Sequence, residues 1–171
     1  MKLGRLAAVM VLAAVATLAV PATAAQAAPL VAHHIQNTSS GLCMTARFGS
    51  GERPVVQTTC DFTVGAFWPD QYWNLNNEGV FAISRTNQPL CVAARGTGES
   101  GAVATTCGGY RDAQWIGLYK LGSPEILQFQ NVNSGLCLAA RGSGESRVVQ
   151  TTCDFTQQGN PYWADQHWAV F

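Results

Sequence analysis

Arg47, Arg95 and Arg141 each stand four residues after a cysteine, and each is followed within five residues, across a glycine-rich stretch, by Glu52, Glu99 or Glu145. A second acid recurs further on, because Asp70, Asp112 and Asp165 each precede a tryptophan by three residues. A planar guanidinium beside two carboxylates can hold a ligand's hydroxyls, or a ligand's own carboxylate, through charge-assisted hydrogen bonds. The same groups can instead pair with one another inside one segment and merely fix a loop, as structural ion pairs do. Phe67-Trp68 and Tyr162-Trp163 come just before Asp70 and Asp165. Their rings offer a flat apolar platform if exposed; packed inward, they fill space over a cysteine bridge or at the base of the core. The middle segment is read as lacking this feature.

Little else suggests reaction chemistry. His33 and His34 fall where a flexible start is expected, and His167 lies between Gln166 and Trp168. No serine sits in a nucleophile elbow, no carboxylate pair separates itself as acid and base, and no CxxC or His-rich spacing suggests a metal. The chain is therefore expected not to be an enzyme and to carry neither metal nor cofactor. "NTS" at Asn37 to Ser39 fits a glycosylation pattern, but a three-residue match arises readily by chance.

These residues are positioned by a threefold repeat. "SGLCMTARFGSGERPVVQTTCDF", Ser40 to Phe62, returns almost unchanged as "SGLCLAARGSGESRVVQTTCDF", Ser134 to Phe155, with a weaker copy, "QPLCVAARGTGESGAVATTC", between them. In each copy a second cysteine follows the first by 16 or 17 residues, always after Thr-Thr. Three equivalent units imply three equivalent bridges: Cys43 to Cys60, Cys91 to Cys107 and Cys137 to Cys153. Each would contribute roughly 3 kcal/mol by restricting the unfolded chain.

Each unit reads as four short strands: a short apolar–polar start, a run into the first cysteine, a Val/Thr run into the second, and a segment ending on tryptophan. No helical periodicity is sustained after the first part of the chain. Twelve strands in three units, about 32–78, 79–124 and 125–171, predict an all-β chain, a pseudo-threefold β-trefoil.

The first 27 residues are read apart from it. Lys2 and Arg5, an apolar run from Leu6 to Val20, and the small residues of "PATAAQA" have the form of a secretory signal peptide, cleaved after Ala27 or else Ala24. The run is shorter than the roughly 20 residues of a membrane-spanning helix. Residues 28–171 would then form a single secreted, extracellular domain, expected as a monomer. Losing Lys2 and Arg5 leaves eight basic residues against ten acidic ones, so nothing favours nucleic acid or an anionic membrane as partner.

With "GLC" opening the bridge, "DQYW" and "DQHW" closing units one and three, and threefold repetition, residues from about Ala32 to Phe171 resemble the ricin-type (QxW) lectin domain family. The resemblance implies a barrel whose Trp73, Trp115 and Trp168 fill the core while Gln71 and Gln166 satisfy buried backbone; Ala113 replaces the glutamine in unit two. It also implies carbohydrate as the partner. Sugar-binding members carry an Asp two residues after the first cysteine, a ring two before the second, and an Asn ahead of Gln-x-Trp. Here those places hold Thr45, Ala93 and Ala139, then Thr58, Thr105 and Thr151, then Asp70, Asp112 and Asp165. The expected ligand contacts are accordingly a rebuilt set: Arg47, Glu52, Trp68, Asp70 and Gln71 in unit one, and Arg141, Glu145, Trp163, Asp165 and Gln166 in unit three. A trefoil that has lost its pocket and binds a protein, inhibits one, or is structural is the competing expectation.

Overall fold

A computed structural model describes residues 32–47, 49, 51–63, 68–75, 81–83, 90–120, 123–155 and 164–171, with the backbone alone at 68, 81–83, 119–120 and 123–125. The expected leader, Phe67, Tyr162, Trp163 and the ring of Trp68 lie outside the described residues.

Thirteen strands are formed among the described residues. Unit one carries β1 (Ala32–His33), β2 (Ile35–Asn37), β3 (Cys43–Ala46), β4 (Arg53–Thr58) and β5 (Trp73–Leu75). Unit two carries β6 (Phe81–Ile83), β7 (Leu90–Ala94), β8 (Ser100–Thr106) and β9 (Trp115–Lys120). Unit three carries β10 (Ser123–Asn131), β11 (Cys137–Ala140), β12 (Ser146–Thr151) and β13 (Trp168–Val170). The excess over the twelve expected comes from His34, which splits one strand in two. β1 pairs with β5 and β2 with β13, whereas the continuous β10 pairs with both β9 and β13.

β3–β4, β7–β8 and β11–β12 are antiparallel hairpins. Their second strands also pair with one another, β4 with β8, β8 with β12 and β12 with β4, closing a triangle about the pseudo-threefold axis. That closure leaves these inner strands without a free edge.

Alternation decides what faces inward. In β4 and β12, Val55, Gln57, Val148 and Gln150 are buried while Val56 and Val149 on the other face are less so, which is the period-two signature of a strand with one buried face. β3, β7 and β11 are buried along their whole length, so their outer faces hold small residues: Thr45, Ala93 and Ala139. The core gathers Ile35, Met44, Val92, Leu138 and Phe129 around three tryptophans that are at most 1% exposed. Each indole N–H donates to a backbone carbonyl at the equivalent place: Trp73 to Met44, Trp115 to Val92 and Trp168 to Leu138, at 2.9, 3.0 and 3.1 Å. All three expected disulfides are present.

The start of the described chain is more ordered than a flexible terminus would be. His34 is buried, with ring contacts to Phe62 and Tyr72 at centroid distances of 5.0 and 4.5 Å. Burial lowers its pKa, against the opposing charge of Asp61. Asn37 is likewise buried, its amide donating to the Asp165 carbonyl at 2.7 Å, so the "NTS" match does not present an accessible asparagine.

Candidate functional site

Each arginine leaves a buried strand and is followed by a reversal of the chain. Gly96 and Gly142, next after Arg95 and Arg141, have φ of +79° and +84°, a conformation that glycine adopts without penalty. The reversal carries the following glutamate away from its own unit. Arg47 pairs with Glu145 of unit three at 2.6 Å, Arg95 with Glu52 of unit one at 3.0 Å, and Arg141 with Glu99 of unit two at 3.1 Å. The expectation that each glutamate serves its own unit is corrected: the three pairs run in a ring, each glutamate crossing to the next unit. The cause is the triangle of β4, β8 and β12, which sets the loop before each of these strands against the neighbouring hairpin.

The aspartates do remain with their own arginines. They are carried on one-turn 3-10 segments, Trp68–Asp70, Arg111–Ala113 and Ala164–Gln166. Buried asparagines pin the backbone of two of these turns: Asn131 donates to the Asp112 carbonyl at 2.9 Å, as Asn37 does to that of Asp165. Asp112 bonds Arg95, and Asp165 lies 3.8 Å from Arg141. Around each arginine therefore stand an Asp from its own unit and a Glu from the previous one.

These aspartates are only partly satisfied by the protein. Both carboxylate oxygens of Asp70, and Oδ1 of Asp112 and of Asp165, are buried without a hydrogen-bond partner. Burial pushes the pKa of Asp70 up to about 6, against the attraction of Arg47, and that of Asp165 up to about 6, against Arg141. Nearby Asp61, in the first case, and Asp154 and Glu99, in the second, push the same way. A buried acceptor left unpaired costs on the order of 1–3 kcal/mol, more when charged.

Threonine completes each cluster at the place where the family's sugar-stacking ring would stand. Thr151 donates to Glu99 at 2.7 Å and accepts from Arg141 at 3.0 Å; Thr58 lies 3.4 Å from Glu145 and Thr105 3.5 Å from Arg95. The floor is formed by Thr45, Ala93 and Ala139, all fully buried. The polar groups are thus displaced outward from the family's Asp position to the arginines.

Gln71 and Gln166, expected as ligand contacts, are positioned otherwise. Each accepts from the backbone N–H after the second cysteine (Asp61, 2.8 Å; Asp154, 2.9 Å) and donates to the Thr59 or Thr152 carbonyl at 2.9 Å. Both are buried. They brace the backbone that carries the aspartate, as the resemblance implied for the motif glutamine.

Three features escaped the reading of the sequence. Gln57 and Gln150 are core glutamines whose amide nitrogens face the glycine-rich loop of another unit: Gln57 lies 3.3, 3.1 and 3.2 Å from the carbonyls of Arg141, Gly142 and Gly144, and 2.8 Å from Ser146 Oγ. Gln150 does the same to residues 95–100. Their "VVQTTC" context gave no hint that a glutamine would point inward. The third feature was legible: Tyr110 stands five residues before Trp115, as Trp68 and Trp163 stand before theirs, so unit two also has a ring at this place. Tyr110 is 65% exposed. It lines a shallow hollow of about 460 Å³ together with Arg95, Arg111, Asp112 and Asn133.

Three strand-built units closed about a pseudo-threefold axis, with the polar cluster beside each disulfide-bearing hairpin, define a β-trefoil of the lectin type. Residues 31–168 match the model of the ricin-type beta-trefoil lectin domain, and the chain belongs to that family. No curated protein sequence is significantly similar to it. Among solved structures it is similar to a designed 3-fold symmetric protein, ThreeFoil, at a TM-score of 0.65 and 15% identity over 81% of this chain and 96% of that one. It is also similar to SeviL bound to asialo-GM1 saccharide (TM-score 0.55, 15% identity, 82% and 95% covered). The hemolytic lectin CEL-III gives a TM-score of 0.64 at 19% identity; 84% of this chain aligns with 33% of that one, so the chain spans about a third of its length. At these identities the likenesses establish the fold.

Proposed function

We propose that this chain is a secreted, non-catalytic carbohydrate-binding module, monomeric, that holds sugar hydroxyls against the buried aspartates. The observation that carries the reading is the recurrence of a buried, unpartnered carboxylate oxygen in Asp70, Asp112 and Asp165. Sugar hydroxyls are the donors these oxygens lack. Arg47 with Glu145, and Arg141 with Glu99, would frame the ligand in units one and three. Trp68 and Trp163 would supply the stacking faces there. Tyr110 extends the same arrangement to unit two. Membership of a lectin family and the lectin neighbours support carbohydrate as the ligand class. Three disulfides suit an oxidising, extracellular compartment, and three weak sites on one module would gain avidity on a polymer.

A protein partner is favoured by a different observation: Phe62, Phe155 and Phe171 are each about 60% exposed, and Phe62 and Phe171 stand edge to face at 6.3 Å. The deciding experiment is retention of the oxidised mature protein on a panel of immobilised polysaccharides, beside a Trp68→Ala, Trp163→Ala variant whose thermal unfolding is unchanged. Retention of the parent and its loss in the variant is the expected result. Retention by neither protein over a broad panel would overturn the carbohydrate reading and turn attention to the Phe62–Phe171 pair.

A further inference from the structure

The three clusters differ in charge, and the difference is concentrated in unit two. Clusters one and three each hold one arginine against two acids, with Asp61 or Asp154 close enough to raise the pKa of the buried aspartate further. In unit two the residue that follows the second cysteine is Gly108 rather than an aspartate, and the residue between ring and aspartate is Arg111 where units one and three have Pro69 and Ala164. Unit two has therefore lost a negative charge and gained a positive one relative to its siblings.

Of the two arginines that line the hollow, Arg111 is the one with capacity to spare. Arg95 is committed to Glu52, Asp112 and Thr105, and its pKa is raised by the hydrogen bonds to Glu52 and Asp112. The exposed Arg111 guanidinium makes one hydrogen bond, 3.4 Å to the Val132 carbonyl, and has no acid within ion-pair distance among the described residues. It faces the hollow with Tyr110, Asp112 and Asn133.

The hollow is shaped by its sequence. Asp112 follows Cys107 by only five positions, against ten from Cys60 to Asp70 and twelve from Cys153 to Asp165. The Tyr110 ring lies over Gly108, where a Cβ would come within 2.4 Å of it, so a glycine is what lets the ring settle there. A flat ring, a guanidinium with a single hydrogen bond, an exposed amide and the Asp112 carboxylate thus converge on one hollow.

We propose that the unit-two hollow binds an acidic sugar, a uronic acid, whose carboxylate is received by Arg111 and whose ring packs on Tyr110. This rests on the carbohydrate-binding reading and makes Arg111 a specificity-determining residue. The guanidinium fork matches a carboxylate in two-point geometry, while Asn133 donates to a carboxylate oxygen and Asp112, which lines the hollow, accepts from a neighbouring hydroxyl. Clusters one and three, with their surplus of acids, disfavour the same ligand, so the module divides its sites between neutral and acidic residues of a mixed polysaccharide.

The test uses the oxidised mature protein with galacturonate and glucuronate oligosaccharides, the methyl esters of the same oligosaccharides, and neutral galactan and glucan oligosaccharides, by titration calorimetry at low salt. The acid is expected to bind at least tenfold more tightly than its own ester, with the preference reduced by added salt. In Arg111→Ala the ratio of acid to ester affinity should fall towards one, and Arg111→Lys should retain part of it. Equal affinity for acid and ester, or a preference that survives in Arg111→Ala, would overturn the inference. Binding of neutral oligosaccharides alongside either result would leave the carbohydrate reading standing. Failure of the parent to bind any sugar in the set would remove both.

Discussion

Arg47 of the first unit and Glu145 of the third, 98 residues apart, meet at 2.6 Å and close the last link of a three-membered ring of ion pairs. Each polar cluster is thereby assembled from two units. Exposed pairs of this kind are worth about 0–1 kcal/mol apiece, so the ring adds little to stability and mainly fixes where the glutamates point. Glu145→Ala should leave thermal unfolding within a few degrees of the parent while weakening ligand binding in cluster one rather than in its own unit. Chemical-shift mapping with ligand would show the change around Arg47 and Thr58. A change confined to Arg141 and Asp165 would contradict the crossed arrangement.

Asp70 and Asp165 should make both stability and binding depend on pH near 6. Their folded pKa of about 6 lies above the ordinary aspartate value of 3.8, so the folded chain binds more protons than the unfolded one between those values. The contribution to stability is then fully present below about pH 4 and is lost as pH rises through about 6, amounting to an upper bound of about 3 kcal/mol per residue. Unfolding measured at pH 5 and at pH 7.5 should show a smaller drop in the Asp70→Asn, Asp165→Asn variant than in the parent. Ligand binding runs the other way, because hydroxyls donate to the ionised carboxylate, and should tighten from pH 5 to pH 7.5 in the parent alone. Binding that is flat over this range would mean that neither aspartate touches the ligand.

The architecture was legible because several independent signals agreed on it. Cysteine spacing, the tryptophans at 73, 115 and 168 and the threefold copy each require equivalent places in three units, and the core delivers them as equivalent indole-to-carbonyl bonds. What escaped depends on which unit lies beside which. Glu52 follows Arg47 by five residues, yet it bonds Arg95, because pairing of β4 with β8 places it there. No local spacing encodes that neighbour. Tyr110 was overlooked for a different reason: the intervening loop is shorter, so comparison from the cysteine hid a position that comparison from the tryptophan shows.

Gln57 and Gln150 face Ser146 and Ser100 in the strand register, and at the third equivalent place Ala104 faces Arg53. Large meets small at two junctions, and the order is reversed at the third. Arg53 there donates to the Arg47 carbonyl at 3.2 Å, as Ser100 and Ser146 hold those of Arg95 and Arg141 at 2.8 Å. Gln57→Ala or Gln150→Ala would remove the amide donor that faces several carbonyls of the neighbouring loop, at a cost of about 0.5–1.5 kcal/mol. Ala104→Gln alone would crowd Arg53, and Arg53→Ser alone would leave a void opposite Ala104; each should destabilise by a similar amount. Combined as Arg53→Ser, Ala104→Gln, they rebuild the junction found twice elsewhere, and denaturant unfolding should show the double variant more stable than either single one. A coupling energy of at least 1 kcal/mol is expected. Simple additivity would mean that the two side chains do not share a space, and that the exchange of sizes at this junction is incidental to the packing.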